Sequence, residues 1–313
     1  IVCQSSETIQ GKFNPGSFPA PKGKKVQDKH WVVIDPKTNV LYMTWTQFDA
    51  YDSADPKDSS IIVFSKSTDR GKSWTKPVRI SKFGGDCLDG DNTVEGAVPA
   101  LGPNGEVYVT WTGPKGLMFQ KSVDGGKTWL QEEIHLANQV GGWDIQIPGF
   151  YRANGLPFLM SDMSDGPNRG TLYLNWCDQR NGSDNTDVWL MKSVDGGQSW
   201  SQAIRVNQDH SKTHQFMTTM CIDQLSGDLH FVYYDRRNYK DKTTDVVWAK
   251  SSDGGVSFQE ETISEKSFTP NQAVFFGDYL GISAVDGHVR PIWPRMDEGK
   301  ITLWTAIIDQ KKN

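Results

Sequence analysis

The fold of this chain is decided by an octet that reads Ser193-Val-Asp195-Gly-Gly197-Gln-Ser-Trp200 and occurs four times. The other three copies are Ser67-Thr-Asp69-Arg-Gly71-Lys-Ser-Trp74, Ser122-Val-Asp124-Gly-Gly126-Lys-Thr-Trp129 and Ser251-Ser-Asp253-Gly-Gly255-Val-Ser-Phe258. All four fit Ser-x-Asp-x-Gly-x-x-aromatic, and their aspartates lie 55, 71 and 58 residues apart. Self-similarity at such a period indicates an architecture of repeated structural units.

The residue types of the octet predict a tight hairpin turn. The Asp side chain can accept hydrogen bonds from backbone N–H groups across the turn, and the Gly can take a positive φ. The aromatic residue then folds back over the hairpin. We therefore expect the four octet aspartates to be structural rather than catalytic.

Short segments in which apolar and polar residues alternate surround each octet. Residues 32–34 and 40–45 flank a turn and read as an antiparallel pair, 61–64 reads as a third strand and 78–80 as a fourth. Four turn-bounded strands per repeat are typical of the blades of a β-propeller. The chain contains five such repeats, and the last, 279–308, has no octet and no obvious fourth strand.

We therefore predict an all-β fold, a β-propeller of five four-stranded blades, with a six-bladed sialidase fold as the alternative. Residues 28–313 would form one propeller domain. Residues 1–27 would form an N-terminal segment that supplies the missing strand and closes the ring, which removes free sheet edges.

Bulk composition excludes some classes of protein. The net charge is −5 and no long basic block occurs, which argues against a nucleic-acid partner. No apolar run reaches the roughly 18 residues of a membrane span. The chain begins at Ile1, which suits a mature form, so we expect a secreted, periplasmic or cell-surface protein, most simply a monomer. Cys3, Cys87, Cys177 and Cys221 show no metal-binding spacing and leave disulfides and free thiols both open.

The octets resemble those of the BNR/Asp-box proteins, and over residues 31–308 the chain is similar to secreted sialidase-like proteins. This resemblance implies a glycoside hydrolase that acts on an acidic sugar such as sialic acid, with its active site on the face opposite the octets. It also implies three arginines that bind the substrate carboxylate, a Tyr nucleophile polarised by a Glu, and an Asp acid/base. The Arg-Ile-Pro motif of that family is absent, and no Arg precedes Arg70.

The order of the strands assigns each loop to a face. The loops between second and third strands, and those between repeats, lie opposite the octets and are long, charged and aromatic, as functional loops often are. Arginine suits a carboxylate because its planar fork binds both oxygens. The candidate substrate-binding residues on this face are Arg152, Arg180, Arg237, Arg295, Tyr151, Asp178, Asp235, His214 and Phe276. Alternatively, Asp178–Arg180 and Asp235–Arg237 only brace their own loops. This role suits Arg152 and Arg295 less, because they have no adjacent carboxylate in sequence.

The catalytic candidates follow from the same resemblance. Tyr279 is the first choice of nucleophile and Tyr151 the second, with Glu95 to polarise it and Asp91 or Asp89 as acid/base. We expect no cofactor, with Ca²⁺ near the aspartates of 86–91 as an alternative and zinc at the histidines of 210–214 as a weaker one. The alternatives to a hydrolase are a non-catalytic propeller that binds glycan or protein, and a lyase or hydrolase that acts on a uronic-acid glycan.

Overall fold

The structure is a computed structural model that describes residues 1–6, 8, 10–20 and 23–310. These residues form twenty-two β-strands and no helix. The strands pair into five four-stranded antiparallel sheets and one two-stranded sheet. The chain divides into two compact units, Ile1–Asn138 and Gln139–Asn313.

The first unit contains two four-stranded sheets in which the spatial order of the strands follows the chain. The first is formed by β1 (Val26–Ile34), β2 (Leu41–Phe48), β3 (Ser60–Ser67) and β4 (Val78–Arg79), and the second by β5 (Glu95–Leu101), β6 (Val107–Thr112), β7 (Leu117–Ser122) and β8 (Ile134–Ala137). β1 and β2 pack against β5. Tyr42, Phe64 and Trp111 lie in the shared core.

The second unit contains the other four sheets. β9 (Asp144–Ile145) pairs with β10 (Ala153–Asn154). The first four-stranded sheet of this unit is formed by β11 (Phe158–Ser161), β12 (Leu172–Asp178), β13 (Asp187–Ser193) and β14 (Ile204–Arg205). The second is formed by β15 (Gln215–Ile222), β16 (Leu229–Asp235), β17 (Asp245–Ser251) and β18 (Gln259–Thr262). The third is formed by β19 (Gly281–Val285), β20 (His288–Asp297), β21 (Lys300–Thr305) and β22 (Ile308–Asp309). β15 packs against β11 and β12 on one side and against β19 on the other.

Several strands are buried along their whole length. Every residue of β12, β15 and β16 is buried. This is why these strands read as near-continuous apolar runs rather than as a strict alternation of apolar and polar residues.

The octets form the hairpin turns that their residue types predict. In the first octet, Asp69 Oδ1 accepts hydrogen bonds from the backbone N–H groups of Lys72 at 3.0 Å and Ser73 at 2.9 Å, and the Ser73 hydroxyl donates to Oδ2 at 2.5 Å. Gly71 has φ +80° and donates its N–H to Ser67 Oγ at 2.8 Å. The Ser73 hydroxyl and backbone bonds hold the pKa of Asp69 well below its usual range. The other octets repeat this pattern.

Each unit also has a lysine that ties one sheet to the octet of the next. Lys66 Nζ donates to the carbonyl oxygen of Gly125 at 2.6 Å, and Lys192 Nζ donates to that of Gly254 at 2.7 Å. Gly126 must be glycine there, because its φ is +80° and a Cβ would lie 2.4 Å from the ring of Phe64. The octets therefore help to hold neighbouring sheets together as well as to close their own hairpins.

The ends of the chain differ partly from expectation. The last repeat does have a fourth strand, β22, which pairs with β20; the sequence reading missed it because it is two residues long. In the N-terminal segment, Cys3 and Ser17 form a β-bridge, and Trp74 of the first octet donates its indole N–H to Ser17 Oγ at 2.8 Å. That this segment closes the last blade stays a prediction, as do the number of blades and ring closure.

None of the four cysteines, all of which lie in described residues, forms a disulfide. Cys87, Cys177 and Cys221 are buried. Of the two possibilities that the sequence left open, the structure contains free thiols.

Candidate functional site

A pocket of about 580 Å³ lies among the loops of the second unit. It is at the end of the strands away from the octets, since β17 starts at Asp245 beside a pocket loop and ends at Ser251 in an octet. We call it the Arg236 pocket, and its lining residues are Pro148, Asp184, Lys212, Thr213, His214, Arg236, Tyr239, Lys240, Asp241, Lys242 and Thr269.

Arg236 provides a buried positive charge in this pocket. Arg236 is 3% exposed. Its guanidinium carbon lies 5.3 Å from the ring centroid of Phe216 and 5.8 Å from that of Phe150. Nε donates to Thr244 Oγ1 at 3.0 Å, whereas the buried Nη2 has no hydrogen-bond partner among the described residues. Burial lowers the pKa of Arg236 to about 10, against a smaller opposite effect of Asp241. In the described parts of the chain, this guanidinium forms no ion pair with a carboxylate, so its charge is available to a ligand.

The rim of the pocket is also cationic. Lys212 precedes β15, and Lys240 and Lys242 belong to the loop between β16 and β17; all three are exposed. With Arg236 they give four positive charges against two carboxylates, Asp184 and Asp241. The pocket is therefore net positive on a chain whose net charge is −5.

His214, one of the predicted substrate-binding residues, lines the same pocket. Its Nδ1 lies 3.0 Å from Thr186 Oγ1, and its carbonyl oxygen accepts the N–H of Arg236 at 3.1 Å. Burial, and then the charge of Arg236, lowers the pKa of His214 to about 4, although Asp184 acts in the opposite direction. The imidazole is therefore neutral near pH 7, which lets it accept or donate one proton. Tyr239, also in the lining, donates its hydroxyl to Asp245 at 2.9 Å.

Two of the predicted arginines are bound to the aspartates two residues before them. Arg180 Nε and Nη2 donate to the two carboxylate oxygens of Asp178 at 2.9 and 2.5 Å, and its guanidinium lies 4.2 Å from the ring of Trp189. Arg237 donates to Asp235 at 2.7 Å and to both oxygens of Glu260 at 2.8 and 2.7 Å. Asp178 and Asp235 are buried. The structure therefore contains the loop-bracing pairs that were the alternative to substrate binding.

Arg152 and Arg295, which have no adjacent carboxylate in sequence, also have carboxylate partners in the structure. Arg295, 1% exposed, donates Nε to Asp297 at 3.0 Å and lies over the Trp304 ring at 3.5 Å. Arg152 Nε lies 3.3 Å from Asp278 Oδ1. Asp297 is two residues from Arg295 in the sequence, whereas Asp278 is far along the chain from Arg152 and only folding brings the two together.

The three aromatic residues predicted at the site lie in different environments. Tyr151 is 64% exposed and forms an edge-to-face pair with Phe275, which is 52% exposed, at 6.1 Å. Phe276 is instead 3% exposed and packs on Phe150 at 4.7 Å, so its ring belongs to the core and not to the pocket lining. Tyr279 lies two residues before β19, with its ring edge-to-face to Phe158 at 6.5 Å.

The carboxylates assigned to catalysis, Glu95, Asp89 and Asp91, belong to the first unit, whereas Tyr279 belongs to the second. Glu95 starts β5, is fully buried, and has Oε2 2.9 Å from Lys29 Nζ. Burial, with help from Asp89, raises the pKa of Glu95 to about 7 against the effect of Lys29. Asp89 accepts the Tyr51 hydroxyl at 2.6 Å. The catalytic roles of these residues stay predictions.

A bulge places Lys29 beside Glu95. The register of β1 against β2 shifts between Asp28 and Trp31, and Lys29 has φ +44°. Bulges re-aim side chains and are common beside functional sites.

In the described residues, no group of three or more His, Cys, Asp or Glu side chains is placed to hold a metal ion. The described chain also has no helix with the length and hydropathy needed to cross a bilayer.

Arg236 was not among the substrate-binding residues predicted from the sequence. Consecutive side chains at the end of a strand point to opposite sides, so Arg237 takes the Asp235 carboxylate and Arg236 faces the pocket. The one available signal was that a single Asp stands before two arginines, which leaves one arginine without a local partner.

No protein-family model and no curated protein matches the chain. Solved structures match its fold. A protein of unknown function from Dyadobacter fermentans has a TM-score of 0.57 at 17% identity, over 93% of this chain and 80% of that one. A Hadza microbial sialidase has a TM-score of 0.52 at 15% identity, over 96% and 58%. An ulvan lyase from a new family of polysaccharide lyases has a TM-score of 0.51 at 12% identity, over 90% and 64%.

The chain thus spans less than two thirds of the length of that sialidase and of that lyase. Likeness at these identities establishes the fold alone. The chain has an all-β fold of four-stranded antiparallel sheets similar to that of sialidases and of an ulvan lyase.

Proposed function

We propose that this chain is a secreted, carbohydrate-active β-propeller that acts on an acidic sugar, such as sialic acid or a uronic acid, bound in the Arg236 pocket. The observation that carries the proposal is Arg236, a nearly buried guanidinium with no carboxylate partner among the described residues. A buried charge without a partner is unfavourable in the free protein. A ligand carboxylate would supply that partner, with charge-assisted hydrogen bonds.

The fold neighbours agree with this class of ligand, because their names include a sialidase and a polysaccharide lyase. Arg180, Arg237 and Arg295 contribute less than the family resemblance implies, since each is already bound to a carboxylate of the chain. The acidic sugar is therefore held by one arginine that needs a partner, assisted by the lysines of the rim.

The leading reaction is hydrolysis of a glycosidic bond in the sialidase manner. For this reaction the family resemblance implies Tyr279 as the nucleophile, Glu95 as the group that polarises it, and Asp89 or Asp91 as the acid/base. A Glu whose pKa is about 7 is matched to accepting a proton near neutral pH.

A lyase is the second candidate, because His214 and Tyr239 line the same pocket as Arg236. Arg236 would neutralise a uronate carboxylate, and neutral His214 would take the proton from the adjacent carbon, C5. The C4–O4 bond then breaks, a C4=C5 double bond forms, and the leaving oxygen is protonated from Tyr239 or water. His214 is the proposed proton acceptor because it is a neutral imidazole in the lining of the pocket.

The test is binding and turnover by the native protein. We expect acidic sugars to bind more tightly than their neutral counterparts in calorimetric titrations. Release of aryl alcohol from sialyl or uronyl aryl-glycosides would identify a hydrolase, and a new ultraviolet absorbance from an unsaturated uronate would identify a lyase. Binding without turnover would identify a glycan-binding propeller. Equal affinity for neutral and acidic sugars would contradict the proposal.

A further inference from the structure

The geometry points to an anionic polysaccharide as the ligand, bound along an internal stretch that covers both the exposed Tyr151–Phe275 pair and the lysine rim of the Arg236 pocket. This inference rests on the proposed function, and it adds that the natural ligand is a polymer rather than a single terminal sugar.

The Tyr151–Phe275 pair is an aromatic surface of the kind that contacts ligands. Both rings are more than half exposed and lie edge-to-face at 6.1 Å. Single exposed apolar residues are common on proteins, but a pair beside a polar pocket resembles the apolar part of a binding site. The flat rings can pack against the C–H faces of a sugar, while the Tyr hydroxyl remains in water.

This aromatic pair is continuous with the pocket. Tyr151 directly follows Phe150, whose ring lies under the Arg236 guanidinium at 5.8 Å. Phe275 directly precedes Phe276, whose ring packs on Phe150 at 4.7 Å. The two exposed rings are therefore anchored by two core rings beneath the pocket.

The distance between the two parts is short. Pro148 lines the pocket and lies three residues before Tyr151, a span of at most about 10 Å for an extended chain. Gly149 lies between them and against Lys242, since a Cβ on Gly149 would be 2.9 Å from Lys242 Cδ. A ligand of a few linked sugars would therefore contact the pair and the pocket together.

The rim has three lysines against two carboxylates, Asp184 and Asp241, so it is net positive even without Arg236. Lys212, Lys240 and Lys242 are exposed, and none of them forms an ion pair with another described residue. They extend from two different loops, whereas Arg236 lies deeper in the same pocket. One sugar carboxylate would occupy Arg236, so the three lysines are suited to further anionic groups along a chain.

A nucleic acid would also present repeated anions and stacking faces, but the observations favour a glycan. The cations are concentrated around a pocket with one deep arginine and are not spread along one face or one helix, as they are in nucleic-acid-binding domains. A single enclosed arginine suits one carboxylate that enters a pocket, because its planar fork can bind both oxygens.

The experiment compares each acidic monomer with its own oligomer. The probes are glucuronate with hyaluronan oligomers, galacturonate with oligogalacturonates, and N-acetylneuraminate with oligosialic acid, measured by calorimetric titration of the full chain. We expect at least one oligomer to bind ten times or more tightly than its monomer. The double variant Tyr151→Ala/Phe275→Ala should bring this ratio close to one.

Two further variants separate the parts of the surface. The triple variant Lys212→Gln/Lys240→Gln/Lys242→Gln should bind the oligomer more weakly. Its affinity should also depend less on salt concentration, because it lacks the exposed lysine–ligand ion pairs that salt screens. Leu225→Ala/Val256→Ala is the matched control: these residues are 69% and 71% exposed in the same unit, in a hairpin turn and an octet away from the pocket. It should leave the oligomer-to-monomer ratio unchanged, and thermal melting checks that every variant folds.

The outcomes distinguish the inference from the proposed function. If acidic monomers bind but no oligomer binds more tightly, the polymer inference is wrong and the proposed function stands. If no acidic sugar binds in either form, the proposed function itself fails. Binding of single-stranded oligothymidylate as tight as that of the best oligosaccharide would overturn the glycan assignment.

Discussion

Replacing Arg236 with Met should move stability and ligand affinity in opposite directions. Burial lowers the pKa of this guanidinium from 12.5 to about 10. At 1.36 kcal/mol per pKa unit, the folded protein therefore disfavours the charge by roughly 3 kcal/mol. A methionine removes the charge and keeps an unbranched apolar side chain over Phe150 and Phe216.

Little else is lost in the free protein. The Thr244 hydroxyl that accepts from Arg236 also donates to the Lys242 carbonyl oxygen at 2.9 Å, and that bond remains. Apolar replacement of buried ions is often neutral or stabilising by about 1–4 kcal/mol. We therefore expect the free energy of unfolding of Arg236→Met, measured with urea, to equal or exceed that of the native protein.

Binding should respond in the other direction. Loss of one partner of a buried charge pair costs about 2–5 kcal/mol, which is a decrease in affinity of about 30-fold to several thousand-fold. Calorimetric titration with the acidic sugar that binds the native protein measures this change.

Arg180→Met is the matched control for stability. Its removal leaves the fully buried Asp178 without its ion-pair partner, so the variant should be less stable by about 3–5 kcal/mol. If Arg236→Met is destabilised as much as Arg180→Met and still binds acidic sugar normally, then Arg236 is a structural cation and our reasoning about the pocket is refuted.

Three other predictions concern residues outside this pocket. Asp195→Ala loses the hydrogen bonds from the N–H groups of Gln198 and Ser199, so the melting temperature should fall while the affinity of the folded protein for sugar is unchanged; loss of affinity at an unchanged melting temperature would contradict a structural role. If Tyr279 is the nucleophile, Tyr279→Phe should lower kcat about a thousandfold, or about 4 kcal/mol, without loss of stability, and full activity would remove it from the mechanism. Because the pKa of Glu95 is raised from 4.5 to about 7 on folding, the native state holds a proton that the unfolded state releases; stability should fall as pH rises from about 4.5 to about 7, and Glu95→Gln should abolish that slope in urea titrations.

The candidate site was only partly visible in the sequence. His214 was chosen because it stands on a long loop, and the structure places it in the pocket beside Arg236. The sequence indicated only that Asp235 can pair with one of the two arginines that follow it, which leaves the other without a local partner. Which of the two is neutralised depends on the positions of Asp235 and Glu260, which lie in different strands.

The sequence by itself determined the repeated sheets and the turns that close them. The bonds of an octet join residues two to four positions apart, such as Asp69 with Ser73, so eight residues are enough to specify them. Only the tertiary structure decided which charges are free and which are paired. Arg152 meets Asp278, and Arg236 remains without a described carboxylate, through contacts between distant segments. Burial by those segments, and not residue type, sets the pKa values of Glu95, His214 and Arg236, because a charge is disfavoured only where folding removes its water.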